Sequence, residues 1–125
     1  MKSTSRVFVY GTLKRAQVNH DLLSNATYLG DHQTQPVYKM FHLGSYPGVV
    51  KSGSTSISGE VYLVDSLTMS HLDRLEGYPH AYTRELIPTQ WGQAWIYLYR
   101  GSLGGRQIIQ SGHWKDEINW RRWSR

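Results

Sequence analysis

Short runs of β-branched and aromatic residues, each ended by glycine, proline or a polar turn, recur along most of this chain of 125 residues. The clearest runs are 6–10, 59–64, 82–87 and 93–99, and weaker ones lie at 28–30, 37–43 and 107–109. Such runs are typical of strands joined by hairpin-length loops. Parallel doubly wound folds need several alternating helices, and these are missing. The pattern predicts a mostly antiparallel α+β domain, for which a closed or half-closed barrel is one arrangement.

One principal helix is predicted beside these strands. Asp65 and Ser66 offer an N-cap, and Gly77 with Pro79 supplies the stop. Between these signals the apolar residues recur at helical spacing, at Leu67, Met69, Leu72 and Leu75. A short additional helix is predicted within 18–25.

Length and composition restrict the class of protein further. The length is that of one domain, so we expect a single domain over 1–125. The absence of cysteine excludes disulfides, thiolate catalysis and thiolate-bound metal centres. No stretch approaches 18 consecutive apolar residues and no signal peptide is visible, so we expect a cytoplasmic protein without membrane association.

The charge balance raises the question of an anionic partner. Fourteen Lys and Arg against nine Asp and Glu give a net charge of +5. The basic residues are scattered along the chain, so nucleic-acid binding is disfavoured. The tail at about 115–125 interleaves Trp with Arg, which is also a pattern of base-stacking or membrane-interface segments. Because so short a tail forms no binding module alone, a surface terminus with solvated charges is the preferred interpretation.

Three kinds of site are disfavoured because their motifs are missing. The six histidines include no pair four apart on the predicted helix and no H-E-x-x-H pattern, so no metal site is predicted. Neither a Walker loop nor G-x-G-x-x-G occurs, which disfavours nucleotide phosphate binding. At 44–48, Ser45 stands one position early for a G-x-S-x-G elbow and Pro47 obstructs the sharp turn, so a serine hydrolase is disfavoured.

Glu76 is the carboxylate with the most unusual position. Met69, Leu72 and Leu75 define an apolar arc of about 120° on the predicted helix, and Glu76 falls inside it. A glutamate facing the core has its pKa raised toward neutrality by desolvation, as a general acid or base requires. The alternative is a last-turn side chain that turns to solvent or pairs with Arg74, Arg84 or His80.

The other carboxylates have simpler interpretations. Glu60 lies in a predicted strand and could face either side of it. Asp73 and Glu85 have Arg residues nearby in sequence and are interpreted as surface charges. Asp65 is explained by its capping role.

Four segments stand in the following order along the chain: Val9-Tyr10-Gly11-Thr12-Leu13-Lys14, Tyr46-Pro47-Gly48-Val49, Gly59-Glu60-Val61-Tyr62, and Leu72-Asp73-Arg74-Leu75-Glu76-Gly77-Tyr78-Pro79 followed by Tyr82-Thr83-Arg84. Together, in their order and spacing, they resemble the γ-glutamylcyclotransferase-like superfamily, in particular its small bacterial and γ-glutamylamine-type members. Residues 94–97 and 111–114 extend the similarity along nearly the whole chain.

The resemblance implies a β-barrel flanked by helices and assigns the catalytic glutamate to Glu76. It implies a substrate pocket at the turn formed by Tyr10, Gly11, Thr12 and Leu13. Backbone N–H groups at such a turn can form a nest for a carboxylate or a developing oxyanion. Tyr82 is a further substrate-binding candidate, as a pocket wall or a hydroxyl hydrogen bond; a tyrosine that only packs on the barrel is the alternative.

The implied activity is that of a γ-glutamyl cyclotransferase, an acyltransferase or lyase that acts on a small-molecule γ-glutamyl compound. The substrate's α-amine attacks its own γ-carbonyl, which expels an amine and leaves 5-oxoproline, and no cofactor is needed. Glu76 would take the proton from the α-ammonium and deliver one to the departing nitrogen. The leaving amine stays open. The alternative function is a non-catalytic small-molecule binding or sensor protein of the same fold, because a fold does not guarantee catalysis.

Overall fold

The computed structural model describes residues 3–115 of the chain. The predicted tail at 115–125 therefore lies, apart from Lys115, outside the described residues. The elements in chain order are β1 (Thr4–Val9), a 3-10 helix (His20–Leu23), β2 (Thr27–Gln33), β3 (Tyr38–His42), β4 (Pro47–Lys51), β5 (Ser58–Asp65), α1 (Ser66–Glu76), β6 (Tyr82–Thr89), β7 (Gly92–Tyr99) and β8 (Gln107–Ile108).

The strands form two sheets. The larger has five strands in the order β2-β5-β1-β7-β6, and the smaller has three in the order β4-β3-β8. The paired strands are antiparallel except for β1 and β7, which confirms the predicted α+β class with mostly antiparallel strands. A closed barrel is not confirmed. The edge strands β2 and β6 of the larger sheet do not pair with each other, and β3, β4 and β8 form a separate sheet.

Strand β1 lies in the middle of the larger sheet and is buried on both faces. Val7 and Val9 pack into an apolar cluster with Leu72 of α1, whereas Phe8 packs into a second cluster with Met40 of β3. Alternate residues of one strand point to opposite faces, so β1 separates a helix-covered layer from a sheet-covered layer. The end of β1 is consequently held in place from both sides.

The principal helix forms where the sequence predicts it. The Asp65 carboxylate accepts a hydrogen bond from the Thr68 N–H at 2.8 Å, and Gly77 ends the helix with a φ of 66°. Met69 and Leu72 are buried, but Leu75 is 40% exposed. The apolar arc is therefore narrower than predicted. The short additional helix is a single 3-10 turn, His20–Leu23.

Leu72 fixes α1 against the sheet, because its side chain is fully buried between the helix and β1. We expect Leu72→Ala to lower the free energy of unfolding by about 2–5 kcal/mol, through lost apolar burial and the cavity left behind. Leu72→Met, which keeps the volume, should cost less than about 1.5 kcal/mol. Urea denaturation of both variants tests this. Equal costs for the two substitutions would contradict the packing described.

Candidate active site

A cavity of about 350 Å³ opens where the loop after β1, the turn before β4, the end of α1 and the start of β6 meet. All six site residues predicted from the sequence and the resemblance line it. They come from three segments that are distant in sequence: Tyr10, Gly11, Thr12 and Leu13 from the loop, Glu76 from α1, and Tyr82 from β6. The fold thus brings together the residues that a shared pocket requires.

Glu76 is the last residue of α1 and the only carboxylate among the residues that line this cavity. Its side chain is half-buried, and it makes no hydrogen bond or ion pair to any of residues 3–115. Burial without a compensating charge raises the pKa of Glu76 to about 7. The pairing with Arg74, Arg84 or His80 that the sequence left open is not formed among these residues. A carboxyl poised near neutral pH can accept a proton and return it.

Arg84 pairs with Asp73 and not with Glu76. The Arg84 guanidinium donates to both Asp73 carboxylate oxygens, at 3.0 Å from Nε and 3.2 Å from Nη2. The Tyr97 hydroxyl donates to the same carboxylate at 2.8 Å. Arg84 is further held over the rings of Tyr78 and Trp95, at 4.5 and 4.3 Å from the ring centroids. Asp73 is therefore part of a half-buried network, and its interpretation as a surface charge is wrong.

Two tyrosines that line the cavity donate their hydroxyl protons to main-chain carbonyls. The Tyr82 hydroxyl donates to the Pro47 carbonyl at 2.9 Å, and the Tyr10 hydroxyl donates to the Tyr97 carbonyl at 2.8 Å. Burial raises the pKa of both hydroxyls above the usual value, and the nearby Glu76 contributes in the same direction. Both groups stay protonated at neutral pH. Tyr82 thus lies at the cavity as a wall whose proton points to main chain.

The loop after β1 lines the cavity and carries main-chain donors without an acceptor among the described residues. The N–H groups of Gly11, Thr12 and Leu13 donate to no acceptor among residues 3–115. The carbonyl sides of the same loop are tied down: Asn19 bonds the Thr12 carbonyl and hydroxyl at 2.9 Å each, and the His20 ring contacts the Leu13 carbonyl at 2.9 Å. Consecutive free N–H groups of this kind form an anion-binding nest.

Gly11 lies close to Pro47, the first residue of β4. A Cβ at Gly11 would lie 2.8 Å from two ring atoms of Pro47. Glycine is therefore required here by close approach. The Pro47 carbonyl accepts a hydrogen bond from the Tyr82 hydroxyl. Pro47 therefore lies between the loop after β1 and strand β6 and contacts both.

Sequence reasoning missed two features of the site and mispredicted one partner. Asn19 lines the cavity and ties the loop at Thr12, yet no motif marks it, because only the path of the loop returns it there. Glu60 is buried and accepts a hydrogen bond from the Arg15 N–H in the same loop. Glu85 is a surface charge as expected, but its partner is Lys51 at 3.0 Å.

The family model described as gamma-glutamyl cyclotransferase, AIG2-like, matches residues 7–116. The chain belongs to this family. It is 46% identical over 112 residues to a Vibrio cholerae protein named provisionally as a gamma-glutamylcyclotransferase, covering 90% of this chain and 96% of the relative. It is 41% identical over 111 residues to the Escherichia coli gamma-glutamylcyclotransferase family protein YtfP, covering 89% and 96% of the two chains.

Two solved structures share the fold of this chain. The solution structure of Escherichia coli YtfP superposes with a TM-score of 0.74 at 41% identity, covering 90% of this chain and 98% of that one. An uncharacterized protein of Pyrococcus horikoshii superposes with a TM-score of 0.76 at 28% identity, covering 96% and 97%. The resemblance stated from sequence motifs is thereby confirmed at the level of the family.

Residues 3–115 contain no group of three or more His, Asp or Glu side chains placed to hold a metal ion. They also contain no helix with the length and apolar character needed to cross a membrane.

The environment of Glu76 predicts a pH-dependent stability. The folded-state pKa of about 7 lies above the ordinary 4.5, so the folded chain holds the proton more tightly between these values. The free energy of unfolding should therefore fall as pH rises from about 4.5 to 7, by about 3 kcal/mol relative to Glu76→Gln. Urea denaturation of both proteins at pH 5 and pH 8 measures this. Parallel pH profiles would contradict the desolvation of Glu76.

Proposed function

We propose that this protein is a γ-glutamyl cyclotransferase in which Glu76 transfers the protons and the N–H groups of Gly11 to Leu13 bind the substrate. The observation that carries the proposal is the pairing, in one cavity, of an uncompensated carboxyl with three free main-chain donors. Membership of the gamma-glutamyl cyclotransferase, AIG2-like family supports the same reaction class.

The proposed reaction is a proton-balanced intramolecular acyl transfer. The Glu76 carboxylate accepts a proton from the substrate's α-ammonium, which frees the lone pair of that nitrogen. The amine attacks the γ-carbonyl carbon and loses its second proton to Glu76 as the lactam N–H forms. The amide C–N bond breaks, and the departing nitrogen receives both protons by way of Glu76 and leaves as an ammonium. The products are 5-oxoproline and an amine. Each step needs the same group first as base and then as acid, for which a pKa of about 7 is well suited.

The loop supplies orientation. We assign the substrate's α-carboxylate to the N–H groups of Gly11, Thr12 and Leu13, because these donors have no other acceptor among the described residues. Anchoring the α-carboxylate there fixes the α-amine beside it. Folding the γ-glutamyl chain so that amine and carbonyl meet is much of the barrier of a cyclisation, and a fixed anchor lowers that entropic cost.

The walls of the cavity favour this chemistry because they are largely apolar and carry no cationic side chain from the described residues. The lining includes buried Phe8, Val9, Tyr10 and Tyr97, and no Lys, Arg or His from the described part of the chain. Low local polarity keeps the pKa of Glu76 high and strengthens hydrogen bonds from the loop to an anionic group. The substrate's own ammonium is then the cation that approaches Glu76.

The first test is product formation from a panel of γ-glutamyl-amino acids and γ-glutamyl-amines. Wild type should release 5-oxoproline from members of the panel, and Glu76→Gln should lower the rate by at least about 100-fold while keeping the circular dichroism spectrum. The value of kcat/KM should rise with pH through about 7, as Glu76 loses its proton, and fall where the free substrate loses its ammonium proton.

A lack of 5-oxoproline from every panel member would reject the proposed reaction. Thermal stabilisation by a γ-glutamyl compound without turnover would instead support the sensor alternative.

A second test concerns the loop. Gly11→Ala places a methyl group 2.8 Å from the Pro47 ring and must displace the loop donors. We expect kcat/KM to fall at least about tenfold, since displacements on the order of 1 Å in a site cost up to about 100-fold. Gly104→Ala, in the loop before β8, is the matched control. The nearest atom that a Cβ at Gly104 would meet is 4.0 Å away, so the new methyl group is accommodated. Equal activity of the two variants would contradict the role given to the loop.

A further inference from the structure

Glu60 is a buried carboxylate outside the cavity that the proposed reaction does not use. It is 9% exposed and lies in β5, directly opposite Val9, the last residue of β1. One carboxylate oxygen, Oε1, accepts the Arg15 main-chain N–H at 3.0 Å and the Tyr62 hydroxyl at 2.9 Å. The other, Oε2, lies 3.4 Å from the Arg15 Nε. The side chain thus bonds main chain, hydroxyl and guanidinium together.

The position of these bonds matters because they close the active-site loop. The loop leaves β1 after Val9, opposite Glu60 in the sheet, and makes a tight turn over residues 11–14, which Arg15 follows directly. Glu60 therefore ties the residue after this turn back to the level at which the loop begins. The intervening Lys14 N–H donates to the Gly11 carbonyl at 3.1 Å, which completes the turn.

The remaining anchors of the loop act on its other groups. Asn19 and His20 hold carbonyl and hydroxyl oxygens of Thr12 and Leu13. The Lys14 ammonium donates to the Trp114 carbonyl at 2.8 Å. Among residues 3–115, Glu60 is the only side chain that accepts a hydrogen bond from a main-chain N–H of this loop. With the N–H groups of Lys14 and Arg15 occupied, those of Gly11 to Leu13 are left for a ligand.

We propose that Glu60 is a positioning residue for substrate binding, which sets the direction of the three free N–H groups by clamping the Arg15 N–H. This proposal rests on the function proposed above, because it takes those N–H groups as the anchor of the substrate's α-carboxylate. Glu60 touches no substrate and moves no proton. Its contribution lies in orienting donors before the substrate arrives, which is how a fixed site gains affinity.

The variants separate the clamp from the ion pair. Glu60→Met keeps the volume of the side chain but removes both acceptor oxygens, so the Arg15 N–H loses its partner. Glu60→Gln keeps one carbonyl acceptor for that N–H and loses the charge. Arg15→Ala removes the guanidinium and keeps the main-chain N–H. Tyr62→Phe removes only the third partner of Glu60.

We expect the KM for a γ-glutamyl substrate to rise at least about tenfold in Glu60→Met, with kcat reduced less than threefold. The pH at which kcat/KM rises should stay near 7, because Glu76 is unchanged. Glu60→Gln, Arg15→Ala and Tyr62→Phe should each keep KM within about threefold of wild type. A merely structural role would instead lower the active fraction, and hence apparent kcat, with KM unchanged.

Amide hydrogen exchange tests the clamp without any substrate. In Glu60→Met the Arg15 amide should exchange at least about tenfold faster, while the amides of β5 and β7 keep their protection. In Glu60→Gln the Arg15 amide should exchange as in wild type.

The two readouts distinguish failure of this proposal from failure of the proposed function. If wild type makes no 5-oxoproline but the Arg15 amide is released in Glu60→Met, the reaction is rejected and the clamp stands. An unchanged Arg15 exchange rate, or an unchanged KM in a folded and active Glu60→Met protein, overturns the positioning role.

Discussion

A carboxylate held in an apolar cavity without a counter-charge is the constraint on which the rest of this structure depends. Among the described residues no cation pairs with Glu76, and the Arg84 guanidinium binds the Asp73 carboxylate and lies over the rings of Tyr78 and Trp95. A cation beside Glu76 would lower the pKa of that carboxyl, and the group would lose its proton at neutral pH. Without one, burial alone raises the pKa of Glu76 to about 7.

The hydrogen-bond donors at the cavity are the second feature of the site, and they belong to the tyrosine hydroxyls and to the loop after β1. Potential donors are either committed, as the Tyr10 and Tyr82 hydroxyls are, or left open, as the N–H groups of Gly11 to Leu13 are. A site whose donors are fixed before binding does not lose free energy to reorganisation when the substrate arrives. Strand β1 is packed on both faces, and the loop that carries these N–H groups begins directly at its end.

Local sequence signals predicted the elements that depend on local physics. The Asp65 cap and the Gly77 stop define α1, and the hairpin of β6 and β7 pairs Thr89 with Gly92 across its turn. The barrel was not predictable in the same way. Whether two edge strands meet depends on how three distant strands pair, and β3, β4 and β8 form a sheet of their own. Leu75 shows the same limit, since a narrower buried face leaves it 40% exposed.

The sequence by itself determined which residues are available: a glutamate at the end of a capped helix, on its apolar side, and a glycine turn after a buried strand. Only the tertiary structure decided their surroundings. The position of Arg84, the direction of Glu60 and the approach of Pro47 to Gly11 are contacts between segments far apart in the chain. Desolvation and pairing energies depend on such contacts and not on spacing, because they arise from all the atoms that surround a group.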